Sequence, residues 1–130
     1  MKQTILLFCM LFCHIVDDYY LQGWLASAKQ KSWWEKNCPK PLYKYDYIVA
    51  LFEHAFSWTF MIHVPLIVTM VITGKSIALS LFLLLFIINW GIHIITDDAK
   101  ANKLIINLIL DQSIHICQIL LTWIIYIQVM

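Results

Sequence analysis

Four apolar stretches divide the chain, and each is long enough to cross a lipid bilayer as a helix. A helical span needs about 20 mainly apolar residues, and the predicted spans cover residues 3–25, 47–72, 76–97 and 103–130. Of the 130 residues, 62% are hydrophobic and only 13% are charged, about half the charged fraction of an ordinary soluble domain. The sequence therefore predicts an all-α integral membrane protein, folded as a single four-helix bundle over residues 1–130.

The one long polar segment, Lys29 to Asp46, lies between the first and second predicted spans. It contains five lysines interleaved with tryptophans and tyrosines, a composition typical of the headgroup region of a membrane. We expect an interfacial loop whose first part, through about Asn37, either continues the first helix or lies along the membrane surface as a short helix. Pro39 and Pro41 then stop any helix.

The placement of the lysines predicts the orientation in the membrane. All nine basic residues are lysines; five lie in the first loop and Lys100 and Lys103 in the third, against Lys2 and Lys75 on the opposite side. By the positive-inside rule, both longer loops face the cytoplasm and both chain ends lie outside. No basic face exists apart from one loop, so the predicted partner is the lipid bilayer and not a nucleic acid.

Three times a histidine and an aspartate stand four residues apart in or beside these spans. The pairs are His14 with Asp18, His93 with Asp97, and Asp111 with His115. On a helix this spacing puts both side chains on one face, about one turn apart. Ionisable groups inside a membrane are energetically expensive, and by default they indicate a functional site.

The predicted orientation places these pairs at similar depths. At about 1.5 Å per residue from the cytoplasmic ends of the spans, Asp18 and His54 lie about 10 Å deep, Asp111 about 12 Å and His93 about 7 Å. This agreement predicts one site shared by all four helices, to which the second helix contributes His54. His63 lies nine residues further along the same helix, on its opposite face, and is excluded from the site.

Imidazole nitrogens and carboxylate oxygens are the usual ligands of zinc, manganese and non-haem iron. We therefore predict a divalent metal cofactor, with zinc first and manganese or iron as alternatives. The candidate ligands are His14, Asp18, His54, His93, Asp97, Asp111 and His115. Seven residues exceed the three or four protein ligands of one zinc, so both a two-metal site and a single metal with additional orienting carboxylates fit the pattern.

A purely structural network of the same residues is the less favoured alternative. Interhelical polar bonds in membranes contribute only about 0.6 kcal/mol on average. Inserting a central aspartate costs about 2.5 to 3.5 kcal/mol. Hydrogen bonding between helices therefore does not by itself account for so many carboxylates. A proton or ion pathway through the same residues is a second functional alternative.

Three further polar residues are predicted to support the ligands. Gln22 and Gln112 can orient ligands, although interhelical hydrogen bonding is the simpler interpretation of each. Glu53 is rotated 100° around the helix from His54, so it either supports the site or faces the headgroups.

For the charged residues beside the pairs, the sequence predicts contacts with substrate, water or lysines. Lys100, one turn beyond Asp97, is expected either to neutralise an anionic substrate or to extend toward water as a loop lysine. Asp17 and Asp98 are expected to point to water or to lysines.

Together, the motifs resemble a known family. His14 to Gln22 reads HIVDDYYLQ, His54 follows, His93 to Lys100 reads HIITDDAK and Asp111 to His115 reads DQSIH. This combination resembles the domain of unknown function 3307 family, small membrane proteins of bacteria and phages. The resemblance covers nearly the whole chain and implies a four-span fold in a bacterial cytoplasmic (inner) membrane, but no activity. The site positions that it implies are His14, Asp18, Gln22, His54, His93, Asp97, Lys100, Asp111, Gln112 and His115.

The leading functional hypothesis is a metal-dependent hydrolase that acts on a lipid-linked or phosphorylated amphiphile at the membrane interface. Asp97 and Asp111 are the predicted bases where they are not ligands, and Lys100 would contact the anionic head of the substrate. A divalent-ion or proton-coupled carrier is the alternative; it would need a homo-oligomer, because four short spans leave little room for alternating access. A third alternative is a membrane interaction factor of the kind that phages and plasmids encode, which needs no catalysis.

Overall fold

The computed structural model of the protein describes residues 2–129. Within that range the chain is helical and forms no strands. Its helices are α1 (Lys2–Val16), α2 (Leu25–Ala28), α3 (Lys31–Asn37), α4 (Asp46–Thr73), α5 (Leu79–Ala101) and α6 (Leu108–Val129). A π-helical turn, Asp17–Leu21, continues α1, and a short 3₁₀ turn, Pro41–Tyr43, precedes α4. The predicted all-α fold is confirmed.

Four stretches have the length and composition to cross a membrane. They are Gln3–Leu21, Pro41–Thr73, Leu79–Ala101 and Leu108–Val129. The protein therefore has four helices capable of spanning a bilayer, and α2 and α3 lie between the first two of them.

Local backbone geometry explains where these helices end. The first stretch ends at Leu21, before the predicted boundary at residue 25, because the chain turns at Gly23 with φ 49°, a conformation that glycine adopts at low cost. Helix α6 begins five residues later than predicted. The backbone is left-handed at Leu104, with φ 56°, and the side-chain oxygen of Asn107 accepts the N–H of Leu110 at 2.9 Å, which caps the new helix.

The bundle buries polar side chains and exposes apolar ones. Among residues 3–129, thirteen polar or charged residues are buried, and they include all five histidines. Large apolar side chains such as Phe8, Phe12 and Ile109 are 66%, 66% and 76% exposed. This distribution is expected for helices surrounded by lipid, since polar groups within a membrane face the interior of the bundle.

Helix α4 packs against α1 and α5, and α6 packs against the same two helices. An apolar core fills the half of the bundle remote from α2 and α3. It consists of Leu6, Met10, Trp58, Ile62, Leu66, Ile77, Ile119 and Tyr126. The other half of the bundle holds the His and Asp residues.

Candidate metal centre

Each of the four long helical stretches contributes histidine or aspartate side chains to one buried cluster. The contributors are His14 and Asp18 from the first stretch, His54 from α4, His93 and Asp97 from α5, and Asp111 and His115 from α6. The histidines, Asp97 and Asp111 are at most 3% exposed, and the Asp18 side chain is 6% exposed. The structure thus brings together all seven residues that the sequence predicts as ligands.

Two overlapping triads within this cluster have donor atoms close enough to hold a metal ion. One is Asp18, His54 and His93, and the other is His93, Asp97 and His115; within each, the donor atoms lie within 4.8 Å of one another. The triads share His93 and are further joined by His54 Nε2 and Asp97 Oδ2, which are 3.0 Å apart. These five residues define the candidate metal centre.

The donor spacing fits a small divalent ion. Two ligands bound to one zinc at about 2.0–2.1 Å with a tetrahedral angle lie about 3.3 Å apart. The Nε2 atoms of His54 and His93 are 3.1 Å apart, and His93 Nε2 lies 3.7 Å from Asp97 Oδ2. Two imidazole nitrogens at this separation need a cation or a shared proton between them, because their lone pairs would otherwise repel.

A hydrogen-bonded chain sets the orientation of the His115 ring. The Gln118 amide donates to the backbone oxygen of Asn89 at 2.9 Å and to its side-chain oxygen at 3.2 Å. Its own oxygen is therefore left to accept from His115 Nδ1, 3.1 Å away. This leaves His115 Nε2 as the atom that faces the carboxylates.

His115 Nε2 faces acceptors on both sides. It lies 3.5 Å from Asp97 Oδ1 and 3.5 Å from Asp111 Oδ1, and neither Nε2 nor Asp111 Oδ1 has a hydrogen-bond partner among the described residues. A buried nitrogen lone pair between two carboxylate oxygens calls for a cation, which is either a proton on Nε2 or a metal ion. The chemistry of this donor set fits the predicted divalent ion.

Trp58 forms the floor of the centre. Its ring stacks on His93 with centroids 4.3 Å apart, and its centroid lies 5.1 Å from that of His115. Its indole N–H donates to His14 Nδ1 at 2.7 Å. Because an indole N–H is only a donor, it occupies the Nδ1 lone pair of His14. His14, predicted as a ligand, is thus a neighbour of the triads and belongs to neither.

Asp111 also lies beside the two triads and outside them. Lys100 Nζ donates to its Oδ2 at 2.7 Å. The Gln112 amide donates to Asp111 Oδ2 at 3.0 Å and to Asp18 Oδ2 at 3.1 Å, so it bridges carboxylates from two helices. Gln22 donates to Asp18 Oδ1 at 2.9 Å. Both predicted supporting glutamines therefore contact carboxylates of the cluster.

Lys29 is the residue of the centre that the sequence pattern misses. Its ammonium lies 2.5 Å from Asp97 Oδ2 and 3.0 Å from His54 Nε2, and its side chain is only 12% exposed. Asn102 holds this segment in place, since its amide donates to Lys29 O at 3.2 Å and its oxygen accepts from Lys31 N at 2.7 Å. Nothing in the spacing of Lys29 distinguishes it from the other lysines of its loop.

Two predicted placements next to the cluster are corrected by the structure. Glu53, predicted as a possible support, lies on the exposed face of α4 near Trp24 and Trp34, outside the centre. Asp17, expected to point to water or a lysine, is 1% exposed and accepts a hydrogen bond from Ser57 Oγ at 2.7 Å. The π-helical turn explains the second difference, because it changes the helical register and lets two successive aspartates face inward.

His63 lies apart from the centre, as the sequence predicts. It is fully buried, with Nδ1 2.7 Å from Thr59 O and its ring between Phe82 and Phe86. His63 is therefore a buried histidine outside the centre, and its substitution can serve as a control for substitutions of the histidines in the centre.

A cavity of about 370 Å³ reaches the cluster from the side of α2 and of the α5–α6 loop. Its polar wall includes Asp18, Asp97, Asp111, Lys29, Lys100, Gln22 and Gln112. Tyr19, Leu104 and Leu108, which are 58%, 80% and 53% exposed, also line it and give it an apolar rim. A small polar group with an attached apolar chain matches this lining.

Comparisons with protein-family models, with curated proteins and with solved structures gave no significant match. The resemblance to the domain of unknown function 3307 family stays a prediction. The geometry of the centre is therefore the basis for a functional proposal.

Proposed function

We propose that this protein is a metal-dependent membrane hydrolase whose buried His and Asp centre holds a divalent cation. The observation that carries the proposal is the pair of triads joined at His93, with donors on all four long helical stretches at ligand spacing. Zinc is the first candidate ion, because it favours three or four nitrogen and oxygen ligands. Manganese and iron accept the same donors.

The shape of the surroundings favours an enzyme. The cavity gives access from one side, while Trp58 and the apolar core cover the centre on the other. A bound divalent ion would activate a water molecule as a nucleophile at neutral pH. One open side is sufficient for a hydrolase, whereas a carrier must expose its site to both sides in turn.

The side chains around the triads have suitable roles in hydrolysis. Among the described residues, Asp111 Oδ1 accepts no hydrogen bond, and this oxygen is placed to accept the proton of the attacking water. That proton is then returned to the leaving group, so that water is added across the cleaved bond. Lys100, paired with Asp111 at 2.7 Å in the cavity wall, would neutralise an anionic head. Asp97 is a shared ligand and is less suited to act as a base.

The cavity lining supports an amphiphilic substrate with a phosphorylated or otherwise anionic head. Charged and amide side chains lie at its inner end, and exposed apolar residues such as Leu104 and Leu108 lie at its rim. A head group would enter the cavity while its apolar chain remains in the lipid. With the positive-inside orientation, this opening faces the cytoplasm.

A proton-coupled carrier is the second candidate, and one observation favours it. From His115 a chain of buried polar groups continues through Gln118 and Asn89 to Thr122, whose hydroxyl accepts from the Asn89 amide at 2.8 Å. Buried polar side chains inside a membrane protein mark candidate paths for ions or protons. This chain ends beside Ile119 and Tyr126 of the apolar core, which is why we rank the carrier second.

The test starts with elemental analysis of the purified full-length protein after loading with zinc, manganese and iron. We expect at least one ion per chain in the parent and in His63→Ala, and loss of the ion in His93→Ala. His63→Ala is the matched control, because it also removes a fully buried histidine. Circular dichroism checks that each variant retains its helices. A parent protein without bound metal would contradict the proposal.

The second stage separates the candidate functions. Loaded protein is assayed for release of phosphate or of the head group from lipid-linked phosphates in mixed micelles, and for ion and proton flux in sealed vesicles. Turnover that is lost in His93→Ala and kept in His63→Ala supports the hydrolase. Ion or proton flux that is lost in His93→Ala and kept in His63→Ala, without turnover of the lipid-linked phosphate, supports the carrier. If His93→Ala still acts on cells as the parent protein does, the protein is an interaction factor that needs no catalysis.

A further inference from the structure

A cavity of about 410 Å³ with charged side chains in its lining lies between α3 and the start of α4, away from the metal centre. It is formed between α3 and the residues up to Lys44, and we call it the basic groove. The residues that matter for its chemistry are Lys31, Trp34, Glu35, Lys40, Tyr43 and Lys44.

The basic groove has a net positive charge. Lys31, Lys40 and Lys44 line it and are exposed, and Glu35 is the acidic residue in its lining. The ion pair between Lys31 and Glu35 is 3.6 Å long, with side chains 49% and 65% exposed. Exposed pairs of this kind hold their partners weakly. The Lys44 ammonium lies over the exposed Tyr45 ring, 5.2 Å from its centroid, and must leave that ring to contact an anion in the groove.

The wall of the groove is held in shape by aromatic packing. Trp34 stacks on Tyr43 with centroids 6.4 Å apart, and Trp33 packs against Trp34 at 5.1 Å. The Trp34 N–H donates to Ala28 O at 2.6 Å, which ties the groove to the buried end of α2. The site is therefore preformed, and only the lysine side chains need to adjust to a ligand.

The position of the groove indicates where its ligand resides. The membrane-capable stretch that contains α4 starts at Pro41, within the groove lining. Leu42, which is 78% exposed, stands between Lys40 and Lys44 in the sequence, and Tyr45 is 63% exposed. Exposed apolar and aromatic side chains next to lysines are typical of the headgroup level of a bilayer. A ligand with both an anionic group and an acyl chain can pair with the lysines and also pack against the exposed apolar side chains.

We propose that the basic groove binds the headgroup phosphate of an anionic phospholipid from the surrounding leaflet. Lys40 and Lys44 contact the phosphate from either side of Leu42, which lies against the acyl chains, and Trp34 and Tyr43 cover the glycerol region. This site is independent of any metal at the His and Asp centre.

The test compares the full-length protein in nanodiscs of phosphatidylcholine with increasing fractions of phosphatidylglycerol. The shift of the thermal unfolding midpoint with that fraction gives an apparent affinity. In Lys40→Ala with Lys44→Ala we expect this affinity to fall about 100-fold, because each charge-assisted hydrogen bond to a phosphate contributes about tenfold, more than the diffuse attraction of a lysine to an anionic surface. The control, Lys36→Ala with Lys103→Ala, removes the same charge outside the groove and should lose clearly less affinity.

Three outcomes would overturn the proposal. Equal losses in the two double variants would mean diffuse attraction to the surface and no defined site. An equal midpoint shift from inorganic phosphate in pure phosphatidylcholine would mean a site for soluble anions. Should the alanine variant fail to fold, Lys40→Leu with Lys44→Leu replaces it, and full retention of affinity there would also contradict a phosphate site.

Discussion

The Lys29 ammonium lies 2.5 Å from Asp97 Oδ2, at the centre of the donor cluster. An ammonium and a divalent cation compete for the same carboxylate and imidazole atoms, because each needs them as its nearest partners. Metal binding therefore requires Lys29 to move from Asp97 into the adjoining cavity, which it also lines.

This competition predicts opposite effects of Lys29→Met on two measurements. Without metal, the variant should be less stable by about 3 to 5 kcal/mol, because a buried carboxylate loses its cationic partner. Its affinity for zinc should rise about tenfold or more, because the ion no longer displaces an ammonium. Calorimetric zinc titration and thermal unfolding check the two effects. Lys31→Met, a nearby exposed substitution, should change neither; weaker zinc binding in Lys29→Met would show that Lys29 assists the metal.

Gln118→Leu should weaken metal binding although Gln118 belongs to neither triad. The substitution removes the acceptor of the His115 Nδ1 hydrogen. The His115 ring can then rotate, or its proton can move from Nδ1 to Nε2. Loss of such an orienting partner costs about 10- to 100-fold in metal affinity. The affinity is measured by competition with a chromogenic chelator. Ser57→Ala, which removes a partner of Asp17 outside the triads, should leave it unchanged, and equal losses in both would assign the effect to general destabilisation.

The two contributions of Trp58 can be separated by two substitutions. Trp58→Phe keeps an aromatic ring under His93 but leaves His14 Nδ1 buried without a donor, which costs about 1 to 3 kcal/mol. Trp58→Ala also removes the buried ring and should cost about 3 to 5 kcal/mol. Denaturant unfolding in micelles gives both values. Equal losses would mean that ring packing is unimportant here.

Zinc should stabilise the folded protein in proportion to its occupancy of the centre. A ligand at 100 times its dissociation constant adds about 2.7 kcal/mol, so the unfolding midpoint should rise with zinc and fall again after chelation. His63→Ala should show the same shift as the parent. In His93→Ala the shift should disappear, and a shift that persists there would place the ion elsewhere.

Much of the candidate centre could be predicted because it obeys helical spacing. The His93 and Asp97 pair, separated by four residues, faces one side of α5, and matching depths in the four spans brought His54 into the same group. These relations depend only on the pitch of an α-helix and on the cost of burying charge.

What could not be predicted depends on departures from regular helix. The π-helical turn turns Asp17 inward together with Asp18, and the bend at Gly23 returns the chain so that Lys29 enters the bundle. The two faces of α4 also mattered: a rotation of 100° is enough to put Glu53 on the exposed surface while His54 is buried. Such details depend on tertiary packing, and no periodic pattern in the sequence predicts them.

The contacts of Lys29 have a consequence for how the protein is made. Both of its partners, His54 and Asp97, come later in the chain, so Lys29 is synthesised before either of them. Its ammonium cannot pair with them until α4 and α5 have been made and packed together. Docking of the α2 segment is therefore a late step of biogenesis, and a nascent chain that stops before Asp97 cannot complete it.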